Sequence, residues 1–229
     1  ETFVKSEAFD TPVIGWKGRW ANTLRLWSGR AVNPFDLERF YAGDFAAAAE
    51  NEALARTISR VLYPEDSTEK GKRLRLTQEY FFSAASIRDI LRRFLTDHAD
   101  LRLLPQKVAI QMNDTHPAIA VAELMRILVD LNDVDWKDAW TITQEALAYT
   151  NHTLLPEALE TWPVGLKERM LPRHMQIIYL INAYHIDSLR AKGQHDVDVL
   201  RAVSLIEEDN GRRVRMGNLA FLGSHSVNG

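Results

Sequence analysis

The sequence feature that most constrains the fold is a short apolar run that leads into a polar string and then a helix. Residues 108–112 predict a strand buried on both faces, and residues 113–117 predict the loop before a helix that begins at Pro117. Strand and helix alternate from residue 105 onward, and helix predominates in the chain as a whole. This alternation is typical of α/β proteins. No stretch has the composition of a linker, so we expect one helix-rich α/β domain over residues 1–229.

Periodic apolar residues and helix-breaking residues predict the other elements. Asp44 is a typical N-cap, and Pro64 and Gly193 each follow a periodic stretch, so the three residues mark helix boundaries. Besides the helix at Pro117, the predicted helices are 45–62, 74–97, one that Asp135 caps, and 173–192. The first 40 residues are expected to be irregular apart from a strand over 22–27, and the last part of the chain is expected to contain strands over 203–206, 212–216 and 219–222.

The composition excludes several classes of protein. The 229 residues are 46% hydrophobic, which allows a sizeable core, and 28 basic against 31 acidic residues do not favour a nucleic acid partner. The absence of Cys excludes disulfides, cysteine–zinc sites and a thiol nucleophile, and it fits a reducing cytoplasm. No apolar run approaches the ~20 residues that cross a bilayer, so we expect a soluble chain with no membrane partner.

The first candidate site is the polar string at 113–117. It lies at the carboxyl edge of the expected sheet, where ligands bind in α/β folds. Asp114 and His116 offer a carboxylate and an imidazole two residues apart, and the helix start offers unpaired N–H groups. Asp and Thr are also ordinary helix caps, and a nearby His can serve only to satisfy one of them. The spacing alone leaves a ligand site and a capped helix start equally open.

The second candidate site is the polar string at 149–153, which Pro156 and Glu157 follow. Its Asn151 and His152 both donate and accept hydrogen bonds, as the side chains of polar ligand pockets do. A capped turn explains the same residues, and the local sequence slightly favours it.

Two pairs of basic residues are candidates for anion binding. Arg92 and Arg93 are adjacent on a predicted helix, and paired arginines suit phosphate. Arg173 and His174 lie at the start of another helix, where an anion is favoured but positive side chains oppose the helix dipole. Solvated helix charge is the simpler interpretation of both pairs.

The motifs of several enzyme classes are absent. The sequence contains no G-x-G-x-x-G, no P-loop, no G-x-S-x-G and no H-E-x-x-H. Asp114, His116, His152 and Glu157 carry metal-ligating groups, but no two of them have the helix spacing of a recognised zinc site, so no metal is expected. The residues alone therefore predict an α/β domain with two polar loops at a sheet edge, and no particular activity.

Six strings of the chain resemble the α-glucan phosphorylases, the family of glycogen, starch and maltodextrin phosphorylases. They appear in family order, and they are RVLYP at 60–64, QEYF at 78–81, VAIQMNDTHP at 108–117, AYTNHTLLPEALE at 148–160, LPRHMQIIY at 171–179 and GSHSVNG at 223–229. Runs of this length do not recur by accident. The chain is therefore identified as a member of that family.

The resemblance implies an enzyme that phosphorolyses α-1,4-glucans from the non-reducing end and releases glucose 1-phosphate. Its partners are then α-1,4-glucan and inorganic phosphate, and its fold is the two-domain glycosyltransferase fold of GT-B type. The chain corresponds to an internal segment of the Rossmann-like N-terminal domain. The lysine that bears pyridoxal phosphate in this family belongs to the C-terminal domain, which the chain lacks, so we expect no cofactor and no activity in this segment alone. A stand-alone glucan-binding or oligomerisation module without catalysis is the alternative.

The resemblance assigns roles to both candidate loops. The NDTHP string places Asp114 and His116 in the sugar-side wall of the catalytic cleft. The YTNHT string makes His152 the residue that holds the terminal glucose, with Asn151 beside it as a substrate-binding residue.

The resemblance also assigns a mobile gate and an effector site. The gate is the loop 65–71, in which Asp66 and Ser67 are expected to contact the substrate; Ser67 and Thr68 replace an Asn and an aromatic residue of the animal enzymes. Arg92 and Arg93 match the pair that grips an activating nucleotide's phosphate in regulated animal forms.

Two further features follow from the same resemblance. Arg173, His174, Gln176 and Glu208 match a surface glucan-storage site. The helix predicted over 45–62 matches the element that crosses the family's dimer interface, so we expect a cytoplasmic homodimer of the full-length enzyme.

Overall fold

The computed structural model describes residues 3–153, 159–209 and 211–229, and its architecture is mixed α/β with helix in the majority. This confirms the predicted helix-rich α/β class. Internal contacts divide the chain into two compact units, Glu1–Ala85 and Ser86–Gly229. Because two compact units can belong to one folding domain, the single domain stays a prediction.

The first unit is built on a long antiparallel hairpin. Strand β1 (Val4–Ile14) pairs with β2 (Ala21–Ala31) along its whole length, through a 3₁₀ turn at Trp16–Gly18. The prediction of irregular structure is wrong for β1, and the strand predicted over 22–27 lies within β2. Every residue of β1 except Val4 is exposed, so burial imposes no alternation of apolar and polar residues on this strand. Cross-strand ion pairs stabilise the hairpin instead, among them Asp10 with Arg25 at 2.6 Å.

Four helices follow the hairpin: α1 (Leu37–Tyr41), α2 (Phe45–Ala48), α3 (Glu50–Arg60) and α4 (Glu69–Asp97), the last of which begins in the first unit and ends in the second. The predicted cap is confirmed, since the Asp44 side chain accepts a hydrogen bond from the Ala47 N–H. The helix predicted over 45–62 is two helices, because the backbone of Ala49 (φ −104°, ψ 2°) departs from helical geometry. Helix α4 also begins earlier than residue 74, so it includes part of the predicted gate loop.

Helix α3 lies directly on β2. The Gly29 N–H donates to Ser59 Oγ at 2.8 Å, and the Ala31 N–H donates to the Glu52 carboxylate at 3.0 Å. Hydrogen bonds from the Arg56 side chain and the Ala31 N–H lower the pKa of Glu52 to about 2. The carboxylate therefore ties the strand backbone to the helix.

The second unit contains a parallel three-stranded sheet. Its order is β3–β4–β8, formed by Ile110–Asn113, Leu147–Thr150 and Ser226–Asn228. The register pairs Asn113 with Thr150 and Thr150 with Asn228, so the carboxyl ends of all three strands are level.

The strand predicted over 108–112 exists, but its burial on both faces was wrong. Met112 is buried and Ile110 is half-buried, whereas Gln111 and Asn113 are exposed. Successive side chains of a strand point to opposite faces, so only one face of β3 is covered in the described part of the chain.

The second unit also contains further helices, of which α7 packs against β4: α5 (Leu104–Lys107), α6 (Ala120–Arg126) with a π-helical continuation over Ile127–Leu131, α7 (Trp136–Ala146), α8 (Val164–Met170), α9 (Pro172–Ala191) and α10 (Val197–Val203). Helix α6 is buried along six of its seven residues and packs against α7 and α9. Six consecutive buried residues cover every face of this helix, whereas an apolar stripe at helical spacing predicts burial of one face. None of the helices in the described ranges is both long and apolar enough to cross a bilayer.

A small antiparallel sheet and a last helix complete the second unit. The sheet joins β5 (Thr161–Pro163), β7 (Arg213–Arg215) and β6 (Ile206–Glu207) in that order. The strand predicted over 219–222 is wrong, since these residues lie in helix α11 (Met216–Leu222). Its buried residues Met216, Leu219 and Ala220 have the spacing of one helix face.

Candidate functional site

The structure brings the two predicted loops together at the carboxyl edge of the parallel sheet. The Asp114 N–H donates to the Thr150 carbonyl at 2.9 Å, and the Asn151 N–H donates to the Asn228 carbonyl at 2.8 Å. Level strand ends thus place the residues after β3, β4 and β8 side by side. Gly229 permits this close approach, since a Cβ on it would lie 1.9 Å from the Asn151 carbonyl oxygen.

The contact that joins the two loops is between His152 and Asn113. His152 Nε2 lies 2.5 Å from Asn113 Oδ1, and both residues are exposed. An exposed imidazole that a neighbouring strand end holds in place is available to a polar ligand.

Asp114 occupies a strained turn directly after β3. Its φ is +68°, in the left-handed region that Asp tolerates better than most residues, and its Oδ1 accepts the Thr115 N–H at 2.6 Å. The charge of this carboxylate also affects the neighbouring residue Tyr149. Burial, with the charges of Asp114 and Glu160, raises the pKa of the Tyr149 hydroxyl.

Asn151 fixes the backbone on either side of His152. Its side-chain Nδ2 donates to the Thr153 carbonyl at 2.7 Å, and its Oδ1 accepts from the Tyr149 hydroxyl at 3.2 Å. This side chain therefore holds the loop, and its contact with a substrate stays a prediction. Pro156 and Glu157, which follow in the same string, lie outside the described residues.

His116 lies in a turn and not at a helix start. The helix predicted from Pro117 begins at Ala120, and residues 116–119 form the turn before it. The backbone N–H groups of this turn are paired: Ala118 donates to the Thr115 carbonyl and Ala120 to the Pro117 carbonyl, each at 2.9 Å. The expected row of unpaired N–H groups is absent from these two positions, because the tight turn uses them.

Comparison with known proteins decides the family. The model of a family described as carbohydrate phosphorylase matches residues 1–229. The chain belongs to the carbohydrate phosphorylase family. The resemblance that the six sequence strings predicted is thereby confirmed.

Named relatives of this phosphorylase chain are glycogen phosphorylases. The liver form of Bos taurus and the brain forms of Homo sapiens and Mus musculus are each 52% identical to it over 96% of the chain. The chain spans 27% of the length of each of these relatives.

The predicted gate residues of the phosphorylase chain lie in its first unit. Asp66 forms an ion pair with Arg75 at 2.6 Å, and the Ser67 N–H donates to Glu65 at 2.8 Å. A Cβ on Gly71 would lie 1.7 Å from the Glu65 carbonyl oxygen, so the loop folds tightly onto the start of α4. Their contact with a substrate stays a prediction.

The arginine pair lies on α4, within the second unit. Arg92 contacts the Asp89 carboxylate at 2.7 Å and Arg93 lies 3.8 Å from it, while both guanidinium groups stay more than half exposed. One carboxylate thus serves both cations, and phosphate binding by this pair stays a prediction.

The four residues predicted for glucan storage have different surroundings. His174 is buried and lies 2.6 Å from Glu123, and Arg173 forms a two-pronged contact with Asp130 at 2.7 and 2.8 Å. Gln176 and Glu208 are exposed. His174 thus faces the core in this structure, because it supplies a partner to a buried carboxylate. The storage role of the four stays a prediction.

Sequence reasoning included Asn113 in the first candidate string but gave it no role. Its signal is positional, since it is the last residue of β3 and lies in register with the residue that ends β4. In the described part of the chain, no three His, Asp or Glu side chains are grouped so as to hold a metal ion.

Proposed function

We propose that this chain is the glucan-facing part of an α-glucan phosphorylase. The enzyme transfers a terminal glucosyl unit of an α-1,4-glucan to inorganic phosphate: the bond from the anomeric carbon to the glucan oxygen breaks, a bond to phosphate oxygen forms, and the shortened glucan takes up a proton. The observation that carries the proposal is the 52% identity, over 96% of the chain, to proteins named glycogen phosphorylases.

The sheet edge suits one half of this reaction. The sugar becomes cationic in the transition state, and fixed polar groups around it lower the barrier. Asp114 supplies a carboxylate in a rigid turn, and His152 supplies an exposed, hydrogen-bonded imidazole on the adjacent loop. In this proposal His152 holds the terminal glucose, and Asp114 and His116 form the wall beside it.

Pyridoxal phosphate belongs to the proposal as a cofactor of the longer enzyme. This family carries it on a lysine, and the described residues at the sheet edge are Asn, Asp, Thr and His, with no lysine among them. The residues present do not fit the cofactor, so we place it outside this chain and derive no step through it.

The remaining assignments are proposals for the longer enzyme. They comprise a GT-B fold with a Rossmann-like N-terminal domain, a cytoplasmic homodimer that pairs through residues 45–62, substrate contacts from Asp66 and Ser67, an effector phosphate on Arg92 and Arg93, and glucan storage at Arg173, His174, Gln176 and Glu208. The sequence resemblance to the α-glucan phosphorylases supports all of them. The arginine pair has further support, because both guanidinium groups are exposed on α4.

The substitution His152→Ala in the full-length enzyme tests the proposed function. We expect kcat/KM for glucose 1-phosphate formation to fall by roughly 10²–10³-fold, as for loss of one well-placed transition-state contact. The thermal midpoint should fall by only a few degrees, because an exposed loop side chain contributes little core volume.

The matched control is His195→Ala. His195 is also exposed, in the loop between α9 and α10, and its replacement should leave both quantities unchanged. Normal turnover per folded molecule in the His152→Ala enzyme would reject the assignment of His152, and a wild-type enzyme that forms no glucose 1-phosphate would reject the proposed function itself.

A further inference from the structure

The backbone of His152 is held from both sides before any ligand arrives. Before it, the backbone N–H of Asn151 donates to the Asn228 carbonyl at the end of β8, at 2.8 Å. After it, the side-chain amide of Asn151 donates to the Thr153 carbonyl at 2.7 Å. Tyr149 is only 4% exposed, and its hydroxyl donates to the side-chain oxygen of Asn151 at 3.2 Å. The remaining freedom of His152 is therefore the rotation of its side chain and the position of its ring proton.

Asn113 restricts both of these freedoms. It ends β3 opposite Thr150, and the Asp114 N–H donates to the Thr150 carbonyl at 2.9 Å, which ties the two strand ends together. Its Oδ1 then meets His152 Nε2 at 2.5 Å. A carbonyl oxygen only accepts hydrogen bonds, so a contact made through Oδ1 places the imidazole proton on Nε2.

We infer that Asn113 is the positioning residue that fixes the tautomer of His152 and thereby its choice of ligand. A neutral imidazole with its proton on Nε2 has a bare lone pair on Nδ1. Among the described residues the contact with Asn113 is the only hydrogen bond of the His152 side chain, so Nδ1 is left to accept a hydrogen bond from a ligand. The ligand group that suits it is a hydroxyl, as on a sugar, and not an anionic oxygen.

This inference rests on the proposed function for its kinetic consequence, but not for the tautomer. If His152 accepts a sugar hydroxyl, loss of Asn113 leaves the ring free to turn and to present the wrong nitrogen. One hydrogen bond is worth roughly 3- to 10-fold in an equilibrium constant at its usual net strength. Asn113→Ala should therefore lower kcat/KM by about that factor.

A double-mutant cycle in the full-length enzyme tests the kinetic part. Asn113→Ala should lower kcat/KM roughly 3- to 10-fold in the wild-type background and have no effect in the His152→Ala background, because it acts through that ring. The control is Gln111→Ala, which also removes a hydrogen bond from β3 to β4, at 2.8 Å, without touching His152. Equal effects of Asn113→Ala in both backgrounds, or an equal loss in Gln111→Ala, would overturn the inference.

Nitrogen-15 NMR of the histidine-labelled enzyme at pH 8 tests the tautomer independently. The His152 signals, assigned by their loss in His152→Ala, should show a single form with the proton on Nε2, and Asn113→Ala should give a mixture of both tautomers. A proton on Nδ1 in the wild type, or the same mixture in both proteins, would refute it. An enzyme that is inactive on glucan would refute the proposed function. The spectrum would then still test whether Asn113 fixes the tautomer of His152.

Discussion

At the residue scale, the buried carboxylate of Glu123 shows how the second unit tolerates charge in its core. Its side chain has no exposed surface, and it contacts Arg126 at 2.8 Å and His174 at 2.6 Å, with Arg88 at 3.8 Å. Burial pushes the pKa of Glu123 upward, but hydrogen bonds from Arg126 and His174 outweigh burial and bring it to about 2. The charged form is therefore the one that the folded state favours.

The substitution Glu123→Gln should remove a pH-dependent part of the stability. The pKa of Glu123 lies below its ordinary value of 4.5, so its contribution, about 3 kcal/mol, is present above pH 4.5 and is lost as the pH falls towards 2. Urea unfolding at pH 7 should show the variant less stable by about that amount, and the gap should narrow by pH 3.

The control for Glu123 is Glu145→Gln, which neutralises an exposed carboxylate on α7. It should leave the stability nearly unchanged at both pH values. A Glu123→Gln gap that stayed constant from pH 7 to pH 3 would show that the loss comes from packing and not from the charge.

Single residues of the candidate site could be predicted only in part. The positions of Asp114 and His152 follow from the rule that ligands bind at the carboxyl ends of parallel strands, and the structure places both there. The contact of His152 with Asn113 depends on the register of β3 against β4, which are joined across 33 residues of helix and turn. No local pattern in the sequence encodes that register.

At the scale of the elements, Gly29 sets how closely α3 approaches β2. A Cβ at this position would lie 2.3 Å from the carbonyl oxygen of Ala55, and backbone atoms cannot swing aside as a side chain can. Gly29→Ala should therefore separate the helix from the strand and cost about 1–3 kcal/mol, the usual penalty of overpacking. Thermal unfolding of the variant measures this loss.

The same substitution at Gly165 is the matched control. A Cβ there would meet only the end of the Arg169 side chain, at an ordinary 3.6 Å, and the residue lies inside α8. Gly165→Ala should stabilise the chain by roughly 0.5–1 kcal/mol, because alanine loses less backbone entropy in a helix. Equal effects of the two substitutions would contradict the packing account.

Elements with local signals were predictable, and elements that depend on distant contacts were not. Asp44 and Asp135 cap helices as predicted, since a cap acts within one turn. Strand β1 was missed because its exposed residues carry no alternating pattern, whereas the strand predicted over 22–27 lies within β2. Residues 219–222 were read as a strand because a run of four residues is too short to distinguish the two periods.

At the scale of the whole molecule, the first unit has many large apolar side chains that are exposed to solvent. Ile14, Trp16 and Trp20, around the turn of the hairpin, are 72%, 86% and 73% exposed. Phe9, Leu24 and Leu26 on the two strands are each at least half exposed. Phe9 lies opposite Leu26 in the register of the hairpin, and apolar surface of this kind marks an interaction site or a tendency to aggregate.

We therefore expect the 229-residue chain, when expressed alone, to self-associate through the tip of the hairpin. In sedimentation velocity, the weight-average sedimentation coefficient should rise between two concentrations that differ about tenfold, because association follows mass action. The triple variant Ile14→Thr/Trp16→Ser/Trp20→Ser should lower this rise, since it removes the apolar area that drives contact.

Tyr184→Ser is the control: Tyr184 is 58% exposed but lies in the second unit, so its replacement should leave association unchanged. A chain that sediments as a compact monomer at both concentrations would contradict this expectation. If the triple variant showed the same rise in sedimentation coefficient as the unmodified chain, the surface that drives association would lie outside the tip of the hairpin.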